Sequence, residues 1–545
     1  MPRPARQLFL GLLVSLLVLG AVELGLRTLV SDAPDTLTSP LSFQRHQTPV
    51  ASPSGTEGVV LFGGPNIVAL KQPAGVRVFF FGGSATEGYH MTPFSSFAGW
   101  TQRFLRLLLP ETPVEVINLG AGGEASRQVA DLVAATAGTQ KADLFVVYSG
   151  NNEYYELRAL KEANPSFDAR AELARRRLSG SHLYRHLRSW IRPAGQSSAS
   201  GARLKGVDSM DAEIDQDERE LGVLLYGEHL GRMVETTQSN TVPLLFSTVA
   251  DQARSFAFHG DPPPLSAGVD EGVSRVDEAG RRRDWPSLTR ALETVRPRLK
   301  TQADHYAIAR LLDRDQRWDD ARFHYAQAEY LDPKPRRSSD PMRAQLRDVA
   351  SEHGVPVCDV ATLLASQSPG GITGEDVFFD PCHPNPLGHR RIAEIFVDCM
   401  IAEELLPGLS GKAEAFERLK SSVPLAGGDP FRLDHFTERR AQLHENRAMT
   451  QEEITTTIRR FDDGSAEGAA LAGHHATLFK LHDGALAWYA LAAERGGPEG
   501  SLAVSRALTL QRLHDINGAR AALKVAEKAL PDDVEIRHFR RALGG

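Results

Sequence analysis

Four short blocks of the chain carry side chains suited to acyl-transfer chemistry. Ser84 lies in Phe81-Gly-Gly-Ser-Ala-Thr-Glu-Gly88, where two glycines let the backbone turn sharply and expose a hydroxyl. A helix starting there would also aim its free amides at a developing oxyanion. The same Ser84-x-x-Glu87 spacing reads equally as a capping box. His383 lies in Asp380-Pro-Cys-His383-Pro-Asn-Pro-Leu-Gly-His389. Aspartate and proline suit the first two positions of a β-turn, which would bring residues 380 and 383 together. The carboxylate would then accept from one imidazole nitrogen and leave the other as a base toward a serine. The plainer alternative is an aspartate that caps its own turn, with the histidine exposed. Asn118-Leu-Gly-Ala-Gly-Gly123 and Ser149-Gly-Asn-Asn152-Glu153 each offer an amide donor, the Gly123 N–H and the Asn152 side chain. A tetrahedral intermediate needs such donors, although Gly and Asn are also ordinary turn residues.

Each block follows an element able to hold it in place. Val76–Phe81, Val114–Leu119 and Leu144–Tyr148 are short, nearly continuous apolar runs, and the first three blocks begin at their carboxyl ends. Val242–Phe246 and Val355–Val360 are further strand candidates, and helical spacing fills Phe97 to Leu109 and Ala125 to Ala135. Apolar strands alternating with helices predict a parallel sheet covered on both faces, with reactive groups at the carboxyl ends of its strands. Pro384 disfavours helical geometry at His383, so the last block is a loop ahead of a helix starting near Leu387.

Ser, Gly, Asn and Asp-x-x-His in this order resemble the SGNH (GDSL-type) hydrolases. The resemblance implies a flavodoxin-like three-layer α/β sandwich. It also implies Ser84 as nucleophile, with its amide, the Gly123 N–H and the Asn152 side chain forming the oxyanion hole. His383 would be general base and acid, oriented by Asp380. Two departures stand out. The first block is Gly-Gly-Ser-Ala rather than Gly-Asp-Ser-Leu, and about 230 residues separate the Asn and His blocks. The likeness therefore covers roughly residues 70–160, 240–255 and 350–402.

The rest of the chain is organised around that domain. Arg3 and Arg6 precede an apolar run from Leu8 to Val22, resumed at Leu24 to Leu26. Fifteen helical residues cover only about 22 Å, but continuing to Val30 would cross a hydrocarbon core of roughly 30 Å. Leading arginines predict a signal anchor over residues 1–30, with a cleaved signal peptide as the rival reading, and the bulk of the chain outside the cytoplasm, periplasmic if bacterial. Residues 31–69 read as a spacer, 70–404 as the α/β domain, and about 165–340 as a helical insertion within it. Residues 405–545 read as an all-α region. There Gly473, Ala485 and Ala492 recur as Ala507, Ala519 and Ala526 at a spacing of 34, and Ala309, Ala321 and Ala328 keep the same internal spacing within a hairpin over 303–333. Small residues at helix crossings suit stacked helix–turn–helix units and resemble the tetratricopeptide repeat, a surface for a protein partner.

Composition narrows the chemistry. The 545 residues include 41% apolar and 24% charged residues, with a net charge of −7, which gives no reason to expect nucleic acid. Three cysteines have no metal-ligand spacing and allow one disulfide whose pairing is unreadable; the 18 histidines show no HExxH. No cofactor or metal is implied. The leading reading is an esterase cleaving O-acyl groups of envelope glycans or glycolipids through a Ser84 acyl-enzyme. An acyltransferase using the same site and a non-enzymatic tethered scaffold are the alternatives.

Overall fold

The computed structural model describes most of residues 74–543, together with 48–51, 57–60, 67–68 and a few positions between 18 and 24. Segments 185–212, 255–263 and 436–450 are the longest left undescribed within it. The anchor expected over residues 1–30 lies almost wholly outside the described residues. Among those described, no helix is long and apolar enough to cross a membrane.

Five strands form one all-parallel sheet: β1 (Val76–Gly82), β2 (Val114–Asn118), β3 (Leu144–Tyr148), β4 (Leu244–Ser247) and β5 (Val357–Cys358). Their order is β2-β1-β3-β4-β5, the flavodoxin-like order, which reverses direction at β1 and β3. β1 is central, so both its faces are covered. Phe79, Phe80 and Phe81 are all without solvent exposure, and burying each stabilises the fold by about 1.5–3 kcal/mol. On one face Phe80 meets Phe97 of α1 (Phe97–Leu108) and Phe396. On the other, Phe79 and Phe81 pack edge-on against Phe145 beneath α2 (Ser126–Ala137). Residues expected to be spacer include three short antiparallel strands, Thr48–Ala51, Glu57–Val60 and Ile67–Val68.

Two compact units divide the chain. One comprises Met1–Gln44 and Glu156–Leu224, the other Arg45–Tyr155 and Leu225–Gly545. In the first, Ala169–Ser179 is helical, and Arg170 and Arg177 pair with Asp217 and Glu220. The second holds the whole sheet and all four motif blocks.

Within the second unit the stretch between β4 and β5 is helical. It includes the hairpin α3 (Gln302–Arg314) and α4 (Trp318–Tyr330), and then α5 (Asp340–His353). The helix after the His block is α6 (Pro386–Ala402), capped by Asn385, whose side chain accepts from the Gly388 N–H. Further on, α7 (Ala466–Leu478) pairs with α8 (His482–Glu494), and α9 (Glu499–Arg512) with α10 (Ile516–Ala529), followed by α11 (Val534–Ala542). The small residues of the 34-residue spacing sit at these crossings. Ala485, Ala492, Ala507, Ala519 and Ala526 are fully buried, and a Cβ on Gly473 would lie 2.6 Å from the Tyr489 ring. The last helix is fastened to the α/β layer by Arg106 of α1, which donates to Glu535 at 2.6 Å.

Candidate active site

The carboxyl ends of β1, β2 and β3 meet where the first three blocks begin. After Gly82 the chain makes one helical turn, Ser84–Glu87, closed by Gly88 at φ +79°. Gly83, in extended geometry, is the residue before the turn and Ser84 is its first member, so the capping-box alternative is not formed. Ser84 instead presents its hydroxyl at the sheet's edge. The turn is tied to its neighbours: Thr86 Oγ1 donates to the Tyr148 carbonyl at 3.0 Å, and Asn118 Nδ2 donates to the Thr86 carbonyl at 2.6 Å.

The Asp380–His383 segment forms a turn in which the carboxylate has two tasks. Its Oδ1 accepts from the backbone N–H of Cys382 (3.0 Å) and of His383 (2.8 Å), while Oδ2 lies 2.7 Å from His383 Nδ1. The aspartate therefore caps its own backbone and also holds the imidazole; the His383 side chain is only 15% exposed, so the alternative with an exposed histidine is not formed. His383 Nε2 lies 2.7 Å from Ser84 Oγ, across 299 residues of sequence. With Asp380 accepting at Nδ1, the Nε2 lone pair faces the serine O–H. The turn is anchored by Gln252, whose N–H donates to the Pro381 carbonyl, and by Phe379, whose N–H donates to the His383 carbonyl, both at 2.9 Å.

The electrostatics follow from this geometry. Burial disfavours the His383 cation, but the Asp380 hydrogen bond and charge, together with the adjacent Cys382, outweigh it and raise the imidazole above its ordinary value. Burial likewise disfavours the Asp380 anion, yet the His383 bond and charge and the two backbone amides hold it below the usual carboxylate range. The half-exposed Tyr89 ring lies against the imidazole, with centroids 4.7 Å apart.

Asn152 lies against Gly83, the residue before Ser84. Asn152 Nδ2 donates one hydrogen to the Glu124 carbonyl at 2.8 Å, leaving the second N–H of that amide for another acceptor. A Cβ on Gly83 would sit 2.6 Å from Asn152 Nδ2 and 3.0 Å from the Glu124 oxygen, so the serine's own turn touches this donor closely. Gly123 is exposed at φ +77°, a left-handed geometry that favours glycine, in the residue directly before Glu124.

Sequence reasoning passed over the group that holds these two blocks together. Ser126, Glu153 and His229 are buried. The Ser126 N–H donates to Glu153 Oε1 at 3.0 Å, and its hydroxyl donates to Oε2 at 2.6 Å; His229 Nδ1 lies 2.9 Å from the same hydroxyl. Glu153 directly follows Asn152, and Ser126 follows Gly123 by three, so adjacency to the motifs was the available signal. His229, on a helix far along the chain (Gln216–Ser239), gave none. The cysteine pairing is likewise visible only here: Cys358 of β5 is bonded to Cys399 of α6, and Cys382 remains a thiol.

A doubly wound parallel sheet with a Ser–His–Asp chain at its carboxyl edge defines a carboxylic ester hydrolase. Residues 80–391 match the GDSL-like lipase/acylhydrolase family, more than half of the chain, and the chain belongs to that family. No curated protein matches it. Solved structures similar to it include LAE5, an alpha/beta hydrolase enzyme from the metagenome of Lake Arreo, at 14% identity, covering 60% of this chain and 96% of that one with a TM-score of 0.29. Another is the acetylxylan esterase Axe2 from Geobacillus stearothermophilus, at 12% identity, covering 60% and 96% with a TM-score of 0.29.

Proposed function

We propose that this protein is a serine esterase that removes O-acyl groups, acetyl foremost, from glycans of the cell envelope through a Ser84 acyl-enzyme. The observation that carries the reading is His383 standing 2.7 Å from both the Ser84 hydroxyl and the Asp380 carboxylate. Nε2 takes the Ser84 proton as Oγ attacks the ester carbonyl, and the imidazolium that forms is stabilised by Asp380. The oxyanion draws on the Ser84 and Gly123 amides and the second Asn152 N–H. Collapse expels the alcohol, which takes the proton from Nε2. Water then enters, gives a proton to Nε2 and attacks the acyl carbon, releasing the acid and restoring Ser84.

Location outside the cytoplasm is supported by the Cys358–Cys399 disulfide, a bond that persists in oxidising compartments, and by the arginine-led apolar run at the N-terminus. The glycan substrate follows from that location, where envelope glycans are the acylated molecules at hand. The C-terminal hairpins, with their tetratricopeptide-like spacing, are the expected seat of a protein partner.

The test compares the wild type with Ser84→Ala on p-nitrophenyl acetate and on acetylated oligosaccharides. The variant should lose several orders of magnitude in kcat, about 10⁶ in comparable triads, and a fluorophosphonate should label Ser84 in the wild type alone. Undiminished turnover by the variant refutes the reading.

A further inference from the structure

We propose that Asp380, Cys382 and His383 form an inhibitory site for a thiophilic divalent cation of the zinc type. The site's chemistry stands on the donor set alone, while its effect on turnover rests on the esterase reading above. The sequence shows no metal-ligand spacing among its cysteines, but a single tight turn brings three different donors together. A carboxylate oxygen, the Cys382 sulfur and an imidazole nitrogen all lie within 4.8 Å of one another. Cys382 Sγ is 3.7 Å from Nδ1 and 4.0 Å from Nε2 of His383, and Nδ1 is 2.7 Å from Asp380 Oδ2. All three residues are partly accessible, and the disulfide elsewhere leaves Cys382 as a thiol.

Zinc bonds of about 2.3 Å to sulfur and about 2.0–2.2 Å to nitrogen and oxygen put tetrahedral ligands roughly 3.4–3.6 Å apart. The 3.7 Å sulfur–nitrogen separation suits this, but Sγ is also 4.0 Å from Nε2 and so lies over the ring, not along the Nδ1 lone pair. A turn of the Cys382 side chain must bring the sulfur to the Nδ1 side, and the Nδ1–Oδ2 contact must open by roughly 0.7 Å on the same geometry. A thiol, an imidazole and a carboxylate suit zinc or cadmium and not magnesium, which prefers oxygen alone.

Occupancy at Nδ1 switches off the base. In the working tautomer Nδ1 carries the proton and Nε2 accepts from Ser84. A cation at Nδ1 takes that lone pair, so the ring's one proton moves to Nε2, which then cannot receive the serine proton. Cys382 gives its own proton to solvent and binds as the thiolate.

The experiment uses the full chain and two readouts. Cobalt(II) titration reports ligation through its thiolate-to-metal absorption band, without reference to activity. Zinc titration of p-nitrophenyl acetate turnover, reversed by a chelator, reports the consequence. Cys382→Ala and Cys382→Ser, each confirmed folded by its melting transition, remove one ligand. We expect a one-to-one cobalt complex with the thiolate band in the wild type and in Ser84→Ala, and no such band in the Cys382 variants. Their inhibitory zinc concentration should rise at least about 100-fold, since even a supporting group behind a ligand is worth 10–100-fold in affinity. Wild-type cobalt spectra lacking the thiolate band, or equal zinc sensitivity with and without Cys382, overturn the proposal. A wild type that forms the complex yet has no ester turnover would instead refute the esterase reading and leave the metal site standing.

Discussion

Gly83→Ala is the sharpest test of Asn152 as the proposed oxyanion donor. Gly83 has extended backbone angles that alanine adopts freely, so the substitution strains no dihedral. The new methyl would nonetheless begin 2.6 Å from Asn152 Nδ2 and 3.0 Å from the Glu124 carbonyl oxygen. Ordinary contact is about 3.4 Å or more, so the amide must retreat by roughly 0.8 Å. Swinging the amide away breaks its bond to Glu124, and the Glu124 carbonyl must give by a few tenths of an ångström, which predicts a modestly lowered melting temperature. The Asn152 N–H is then displaced from the place the proposed oxyanion would take. A misplacement of about 1 Å costs about 10²-fold, and loss of a whole donor 10²–10³-fold in kcat, about 2.7–4 kcal/mol. The assay is steady-state hydrolysis of p-nitrophenyl acetate by wild type, Gly83→Ala, Asn152→Ala and the double variant. If the methyl acts by displacing Asn152, the double variant should be no slower than Asn152→Ala alone, a strongly non-additive cycle. Wild-type kcat in a folded Gly83→Ala protein, or additive losses in the double variant, would refute the reasoning.

Further outcomes follow from the same geometry. Because base catalysis needs neutral His383 and its pKa is raised, the acidic limb of the kcat/KM profile should lie above the 6.5 of free imidazole. Asp380→Asn should move that limb down while lowering the plateau; a limb at or below 6.5 in the wild type contradicts the assignment. Ser126→Ala removes the hydroxyl between Glu153 and His229, so kcat should fall, by up to about 10²-fold for a displacement of about 1 Å at the neighbouring Asn152, while KM stays constant, the signature of a lost transition-state interaction. An equal rise in KM would point to general disruption instead. His474 is buried in α7 between Tyr489 and the Pro430 carbonyl, and burial pushes its pKa down to about 4. The unfolded chain takes up that proton near pH 6.5, so stability is full above 6.5 and declines as pH falls from there toward 4. By pH 5 the loss is about 2 kcal/mol. Hydrogen exchange across residues 466–529 at pH 7.5 and 5 should show it, and His474→Gln should flatten the slope.

Much of the site was legible because local chemistry wrote it. Gly82-Gly83-Ser84 after an apolar run announces a strand ending in a tight turn, and Asp380-Pro-Cys-His383 announces a turn that closes on itself. Both depend on residues a few positions apart. The alternation of Val76–Gly82, Val114–Asn118 and Leu144–Tyr148 with helices likewise marks a parallel sheet. The spacing of Ala485, Ala492, Ala519 and Ala526 marks helix crossings, because only small side chains let two helices approach there. The choice between a capping serine and a presented one was different. It depended on whether Gly83 or Ser84 opened the helical turn, a matter of one residue.

By itself, then, the order of residues determined the strands, the turns and the chemical types gathered at their ends, all consequences of backbone preference and short-range hydrogen bonding. Only the tertiary structure decided that His383 reaches Ser84, that His229 joins Ser126 and Glu153, that Cys358 bonds Cys399, and that Asn152 lies against Gly83. Those meetings are set by how helices and strands pack once the apolar faces of β1 are covered. Packing is a property of whole surfaces, which no short stretch of sequence contains.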